Sequence, residues 1–379
     1  MIRPTVARVS LEAIQANLRA VQSLLKPHSA PDRGTRAPDV IAVVKANAYG
    51  HGAAAVGRAL EGAGASVLAC ADIEEGVALR QAGVTVPILV FGALSVSDLD
   101  GVFDARLTPT VSTPGAARAL EQAAAARGVR LACHLKIDTG MNRLGFRHDN
   151  LARTLPAVLA SPHLDITAVY THFATADDPE SPWLDEQRAR FDRSVAAARA
   201  MGLGAVRRHA ANSAALIRDA RTWYDWVRPG LLLYGIVPPP LAAADLDLRP
   251  ALSLESRIVA VKGLRPGEGT GYGLRSTDDT PRTIAIVPAG YADRLDLRLA
   301  GRAPVLVRGR RRAIVGSVCM DMIMIDVTGT DVSPGDEVVL IGRQDGDEIT
   351  AREIAAAIGT IPWEVVCRLG QRIEREYSG

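Results

Sequence analysis

Lys45 ends the apolar run V-I-A-V-V (40–44) and opens the stretch K-A-N-A-Y-G-H-G (45–52). A lysine in that place has two readings. Long cationic side chains commonly mark where a strand emerges into water, but the same amine, shielded from water, is a nucleophile for carbonyl compounds. What decides between them is what else converges on the lysine. Asp138, Asn142 and Arg143 follow a second apolar run, Tyr170 and His172 close a third, Asn212 and Ser213 follow a fourth, and Arg228 opens R-P-G-L (228–231). Each alone is more often structural than functional. Together they form a cationic set that calls for an anionic ligand, and R-P-G-L offers backbone N–H groups suited to phosphate. An amine beside a phosphate site is the chemistry of a Schiff base with pyridoxal phosphate. A sugar-phosphate aldolase with a catalytic lysine uses the same parts. The residues by themselves leave both open.

Other signals carry less. D-T-G (138–140) matches the aspartic-protease triplet, but that chemistry needs two carboxylates in matching settings and the chain has no second D-T-G. The glycine-rich G-E-G-T-G-Y-G (267–273) has the wrong spacing for a dinucleotide loop. The seven histidines show no zinc spacing, so no metal site is expected. Cys70, Cys133, Cys319 and Cys367 lie far apart without a C-x-x-C pair and read as reduced, packed thiols. A formal charge of +2 gives no field for nucleic acid, and the basic run R-G-R-R-R (308–312) reads as a solvated hairpin turn. No segment is long and apolar enough for a bilayer, and the first ten residues lack the apolar core of a signal peptide. A cytoplasmic, soluble protein without nucleic-acid or membrane partners is expected.

The elements that must position these residues follow from the pattern. Candidate strands fall at 40–44, 66–70, 87–91, 107–111, 130–137, 165–170, 205–209 and 225–228. Ala-rich helical stretches lie between them at 55–62, 74–83, 114–126 and 183–200, with weaker helical patterns in the third and fifth gaps. Eight strand–helix alternations in one barrel's length predict a (β/α)8 TIM-type barrel, whose strand C-terminal ends form the active-site mouth. A doubly wound open sheet competes, but its first turn needs G-x-G-x-x-G, and V-K-A-N-A-Y-G-H-G does not fit. V-P-P-P-L-A-A-A-D-L-D-L-R-P (237–250) is a linker, since three prolines continue neither helix nor central strand. After it, short β runs at 256–261, 283–287, 304–307, 313–318, 322–327 and 337–341 with one helix at 350–358 predict a mainly β second domain. The expected domains are 1–240 and 241–379, since 379 residues are too many for one small core, and 48% hydrophobic with 23% charged residues argues against wholesale disorder.

V-V-K-A-N-A-Y-G-H-G closely resembles the cofactor-lysine motif of alanine racemases, fold-type III pyridoxal phosphate enzymes. The resemblance covers essentially the whole chain. It includes K-I-D-T-G-M-N-R-L-G (136–145), Y-T-H-F-A-T-A-D (170–177), H-A-A-N-S-A (209–214), V-R-P-G-L-L-L-Y-G (227–235), G-Y-G (271–273), G-Y-A-D (290–293) and V-G-S-V-C-M-D (315–321), in the family's order. It implies interconversion of L- and D-alanine for peptidoglycan by a homodimer. Lys45 would hold pyridoxal phosphate and act as base on one face of Cα; Tyr272, contributed by the partner subunit, would serve the other. Arg228 would face the pyridine nitrogen, held by His172. Tyr49, Ser213, Gly230 and Leu231 would cradle the phosphate. Arg143 and the backbone around Met320 would receive the amino-acid carboxylate, and Lys136 matches a lysine that some members carry carbamylated.

Two positions depart from the family pattern. The usual I-N-Y-E is here I-P-W-E, which puts Trp363 where a tyrosine hydroxyl reaches the phosphate at the site entrance; an indole donates but does not accept, and it is bulkier. G-Y-A-D is usually followed by G-x-x-R, whereas here Leu297 takes the arginine's place and Arg298 lies one residue along, on the other side if the segment is extended. The entrance change makes a broader racemase for serine or larger amino acids the nearest alternative. A related-fold decarboxylase would place an acidic residue where Arg228 stands, and a non-catalytic pyridoxal phosphate carrier would lack the β domain that holds Tyr272.

Overall fold

The computed structural model describes residues 4–26, 37–94, 97–243, 246–275 and 278–379; residues 244 and 245 of the proline-led linker lie outside the described residues. The chain forms two compact units. One holds Ile14–Ala48 and Ala53–Leu248, the other the chain up to Ala13, Tyr49–Gly52 and Arg249–Gly379.

The chain begins with β1 (Val6–Ser10), which belongs to the second unit, and the helix Leu11–Leu25. The barrel strands follow as β2 (Asp39–Val43), β3 (Val67–Cys70), β4 (Ile88–Val90), β5 (Thr108–Val111) and β6 (Leu131–Asp138). After a two-residue strand β7 (Phe146–Arg147) come β8 (Leu164–Tyr170), β9 (Arg207–His209) and β10 (Trp226–Val227). Apart from β7, which pairs only with β6, each is parallel to its neighbours. β5 pairs with β6 and β10 returns to β2, so eight strands close a barrel. Its strands are apolar runs because both faces are covered: Val40, Ile41, Ala42, Val43, Val67, Leu68, Ala69 and Cys70 are all buried. All eight overlap the expected strands, including β9, which is the basic R-R-H and not an apolar run.

Helices start where short polar residues supply caps. Asp72 accepts from Glu75 N before Ile73–Gln81 (2.9 Å), Thr113 from Ala116 N before Pro114–Ala126 (3.0 Å), and Asn212 from Ala215 N before Ser213–Arg218 (2.9 Å). In the third and fifth gaps the weaker patterns yield only short helices, Asp100–Asp104, Leu151–Thr154 and Pro156–Leu159.

The second unit is a largely antiparallel sheet. Its strands are β11 (Leu252–Arg257), β12 (Ala260–Leu264), β13 (Arg282–Val287), β14 (Pro304–Val307), β15 (Arg310–Val315), β16 (Ile323–Asp326), β17 (Glu337–Gln344), β18 (Asp347–Ile349) and β19 (Glu374–Ser378). They lie in the order β12-β13-β16-β15-β14-β17-β11-β1-β19, with β18 on β17. The run expected as one strand at 256–261 is broken: Ile258 N bonds Asp336 O while Val259 N bonds Ile286 O, so the chain changes neighbours there. Two helices follow, Ala351–Ile358 and Pro362–Cys367. The basic run is a hairpin turn at Arg308–Gly309, with Arg308 paired to Asp336 (3.0 Å) and Arg311 to Asp347 (2.8 Å).

The division departs from a single cut at 240/241. β1 lies antiparallel to β11 and parallel to β19, which takes the N-terminal residues out of the barrel block. Tyr49–Gly52 also groups with the second unit. There Gly50 and Gly52 have φ of +83° and +98°, and a Cβ on them would lie 2.1 Å from Val366 O and 1.8 Å from Tyr377 Oη. Only glycine combines that backbone with that approach, which accounts for the two glycines of Y-G-H-G.

Candidate active site

Lys45 lies two residues beyond β2, half-buried, at the C-terminal end of the barrel. The four residues after it, Ala46, Asn47, Ala48 and Tyr49, have φ between 52° and 55°, a left-handed turn built without glycine. Such residues cost roughly 1–2 kcal/mol each, so the surroundings must hold them. Ala48 N bonds Val44 O at 2.8 Å, and Asn47 Oδ1 accepts from Ala53 N at 2.8 Å. Asn47 N donates to Glu75 Oε1 (3.3 Å), whose other oxygen accepts from Ala71 N (2.8 Å). Glu75, which no motif points to, thus ties this turn to the next strand's end.

Just beyond β10, the strand beside β2, sits Arg228, 3% exposed. Its Nη1 donates to His209 Nδ1 at 2.9 Å. Its Nη2 contacts Thr171 O and Ala210 O, both at 2.8 Å, and His172 Nδ1 at 3.2 Å. All four partners are neutral, so the guanidinium charge is hydrogen-bonded without being cancelled. Burial lowers even Arg228, to about 10. His172 is driven well below the ordinary imidazole range, first by burial and then by Arg228, Lys136, Lys45 and Arg143. A neutral His172 accepting from an arginine is the consistent state.

Lys136, 6% exposed on β6, has Nζ 5.5 Å from the centre of the Tyr170 ring. Burial, then the charges of Arg143 and Arg228, push it down to about 8, with Asp138 opposing and Lys45 adding to the fall. The mouth therefore gathers four cations around one carboxylate. Asp138 itself shapes the backbone. Its Oδ1 accepts from Gly140 N (3.0 Å) and Asn142 N (3.1 Å), folding the loop that carries exposed Arg143. Gly145 ends that loop with φ +126°, where a Cβ would lie 2.6 Å from Asp138 N. Tyr170 is structural as well. Its hydroxyl bonds Thr110 Oγ1 (2.9 Å) and its ring stacks on His209 at 4.6 Å.

Ser213 Oγ accepts from Gly230 N at 3.0 Å, which leaves the serine hydroxyl hydrogen to donate elsewhere. Ser213 opens the helix Ser213–Arg218 and Leu231 opens the 3-10 turn Leu231–Tyr234, so their N–H groups have no carbonyl of their own helix to bond. Behind the mouth, buried Gln187 donates to Thr139 Oγ1 (3.2 Å) and His172 O (3.1 Å), and Thr139 shares a 2.8 Å bond with Thr171. The barrel thus brings Lys45, Lys136, Arg143, His172, Ser213, Arg228, Gly230 and Leu231 to one mouth. It also recruits His134, His209, Thr139, Gln187 and Glu75, to which the sequence alone gave no role in the site. For His134 a signal existed: strand alternation puts it on one face with Lys136 and Asp138 in L-A-C-H-L-K-I-D.

Tyr49, Tyr272, Met320 and Trp363 belong to the second unit. Tyr49 is held protonated, its hydroxyl raised by burial and then by Cys367. Tyr272 is 76% exposed between Gly271 and Gly273, both at positive φ, and its carbonyl accepts from Ser317 Oγ at 2.8 Å. Gly290 explains part of G-Y-A-D, since a Cβ there would lie 2.3 Å from Met320 O. Ala292 N bonds that same carbonyl at 2.9 Å. Asp293 is fully buried and accepts from Gly290 N at 2.9 Å. Trp363 is half-buried as the second residue of Pro362–Cys367. Leu297–Leu299 is a 3-10 turn, not an extended segment. Leu297 is 61% exposed, and Arg298 is tied to Asp296 (2.7 Å) and Ile358 O (2.7 Å). Among the described residues no helix is long and apolar enough to cross a membrane, and no group of three or more His, Cys, Asp or Glu could hold a metal.

An amine, a buried guanidinium with neutral partners and unspent N–H and O–H donors can together receive a phosphorylated carbonyl compound. Comparison with known proteins points the same way. Residues 9–238 match the family model for the alanine racemase N-terminal domain, and residues 251–377 that for the C-terminal domain. The chain is 41% identical over 379 residues to an alanine racemase of Symbiobacterium thermophilum, covering 100% of this chain and 98% of that protein. It is 40% identical over 377 residues to one of Halothermothrix orenii, covering 99% and 97%. The crystal structure of alanine racemase from D-cycloserine-producing Streptomyces lavendulae is similar over 100% of this chain and 98% of that one, with a TM-score of 0.93 at 35% identity.

Proposed function

The chain belongs to the alanine racemase family, and we propose that it is an isomerase that interconverts L- and D-alanine with pyridoxal phosphate as its cofactor. The residues present fit that group. Lys45 provides the amine for its aldehyde, Arg228 a cation for its ring nitrogen, and Ser213 with the N–H of Leu231 donors for its phosphate. Gly230 supports that cradle through its bond to Ser213 (3.0 Å). Tyr49 adds a hydroxyl from the second unit. When bound, pyridoxal phosphate supplies a carbonyl for the substrate amine and a ring that acidifies the Cα–H.

This chain's own residues do the rest. Arg228 stays protonated and so keeps the ring nitrogen unprotonated, which limits electron withdrawal and favours simple proton exchange over side reactions. His172 and the carbonyls of Thr171 and Ala210 hold it in place. Lys45 takes or returns the proton on one face of Cα, and Tyr272 does so on the other, as inversion requires. Arg143 and the backbone at Met320 receive the substrate carboxylate. Lys136, lowered to about 8, holds enough neutral amine to accept carbon dioxide as a carbamate beside Arg143. Tyr272 serves the partner subunit's site in a homodimer, and the product supplies peptidoglycan synthesis in the cytoplasm.

The observation that carries this reading is buried Arg228 with neutral partners, facing the mouth that Lys45 closes. The test is to incubate purified, cofactor-loaded protein with L-alanine and follow D-alanine by chiral chromatography. D-alanine should form, and Lys45→Ala should abolish both it and the visible absorbance of bound pyridoxal phosphate. Loaded protein that forms no D-alanine refutes the reading. A broader racemase is favoured by one feature, Trp363 at the entrance. A scan of L-serine and larger amino acids decides it, since comparable kcat/KM for L-serine and L-alanine would establish breadth.

A further inference from the structure

Arg228 rests on His209, and His209 rests on His134. His209 Nδ1 faces Arg228 Nη1 at 2.9 Å, and its Nε2 faces His134 Nδ1 at 3.1 Å. Arginine only donates, so His209 Nδ1 must be bare. A neutral imidazole then carries its proton on Nε2, and that N–H needs an acceptor, because both rings are buried. His134 Nδ1 is that acceptor, which places the proton of His134 on Nε2. Only this tautomer set satisfies both contacts. Burial and the charge of Arg228 keep both rings neutral: His134 is lowered to about 3 and His209 well below the ordinary range. The ring planes are fixed by stacking, Tyr170 on His209 at 4.6 Å and 8°, and His134 on Trp226 at 5.8 Å and 22°.

We propose that His134 is a positioning residue for racemisation, accepting the Nε2 proton of His209 so that this imidazole keeps a bare nitrogen toward Arg228. Without that acceptor the His209 N–H is buried and unpaired, and the ring loses the bond that opposes its turning over. A turned ring shows Arg228 a C–H in place of Nδ1, and the guanidinium loses one of the contacts that aim it. The effect on catalysis rests on the reading of Arg228 given above; the tautomer assignment does not.

The test compares His134→Asn, which keeps an acceptor oxygen, with His134→Leu, which has none, in cofactor-loaded protein. Nitrogen-15 NMR of the imidazoles in the unsubstituted protein should show His209 protonated on Nε2 alone. His134→Leu should lower kcat for alanine by about 10-fold with KM little changed, as for loss of an outer partner. It should also shift the visible absorbance of bound cofactor, while His134→Asn keeps most of kcat. A His209 protonated on Nδ1 overturns the proposal whatever the activity. So does a His134→Leu protein with undiminished kcat, or a His134→Asn protein impaired as severely as His134→Leu at equal thermal stability. Protein that racemises nothing, yet shows the assigned tautomer, would refute the reading of the site and leave the positioning of His209 by His134 standing.

Discussion

His134, His172 and His209 sit in the barrel as neutral rings among cations, and that has a consequence for stability. Their folded-state proton affinity is depressed by burial first and by Arg228 next. Below the ordinary imidazole pKa of 6.5 the unfolded chain therefore binds protons that the folded chain refuses, so their stability contribution is full above that pH and is lost as pH falls. Each contributes a slope of about 1.4 kcal/mol per pH unit. Urea unfolding between pH 6 and 4 should steepen accordingly, and His134→Asn should reduce the slope by about one proton's worth. An unchanged slope would mean that His134 is not held neutral. Of these three, the family resemblance gave a role only to His172, although His209 opens H-A-A-N-S-A. His134 lies inside the apolar β6 and His209 ends the basic R-R-H of β9, where a histidine reads as filler until closure of the barrel puts His209 against Arg228 and His134 against His209.

Elements aim the residues, and the one after β2 does so at a cost. Its left-handed turn is held by Asn47 and by the two carboxylate oxygens of Glu75. Glu75→Ala releases Asn47 N and Ala71 N together. It should lower kcat by about 10-fold, as small misplacements of a catalytic group do, and speed amide exchange across residues 45–53. Full activity with unchanged exchange would show that the turn holds itself. Most of the barrel strands were legible because parallel strands buried on both faces leave apolar runs, whereas β9, R-R-H, is not such a run. β1 was not legible, since V-A-R-V-S is a short alternating run whose partners lie more than 240 residues away. The left-handed turn was illegible too: Asn47 tolerates positive φ, but Ala46, Ala48 and Tyr49 beside it carry no such sign, and neighbouring carboxylates and carbonyls impose the turn. The glycines of Y-G-H-G stand out in the sequence, but their cause, contact with Val366 and Tyr377, needs the folded second unit.

Across the full chain, the proline-led linker marks where one character of sequence ends, yet the second unit is not the C-terminal segment alone. β1 lies between β11 and β19, and β19 pairs in the sheet with β1. A fragment that begins at Arg249 therefore leaves the edge of β11 bare and β19 without that partner. Circular dichroism of that fragment should show no cooperative melt, and adding a peptide of residues 1–13 should restore one. A sharp melt of the fragment alone would contradict the sheet order.

Racemisation as proposed turns on Lys45 and Tyr272 exchanging a proton on opposite faces of the alanine Cα. Both enantiomers and Cα deuterium can be followed in heavy water, for the unsubstituted, loaded protein and for Tyr272→Phe, starting from L- and from D-alanine. Equal final amounts of the two enantiomers with deuterium at Cα are expected, and a Tyr272→Phe protein slowed at least about 100-fold in both directions. Full racemase activity of Tyr272→Phe in both directions would contradict the two-base assignment.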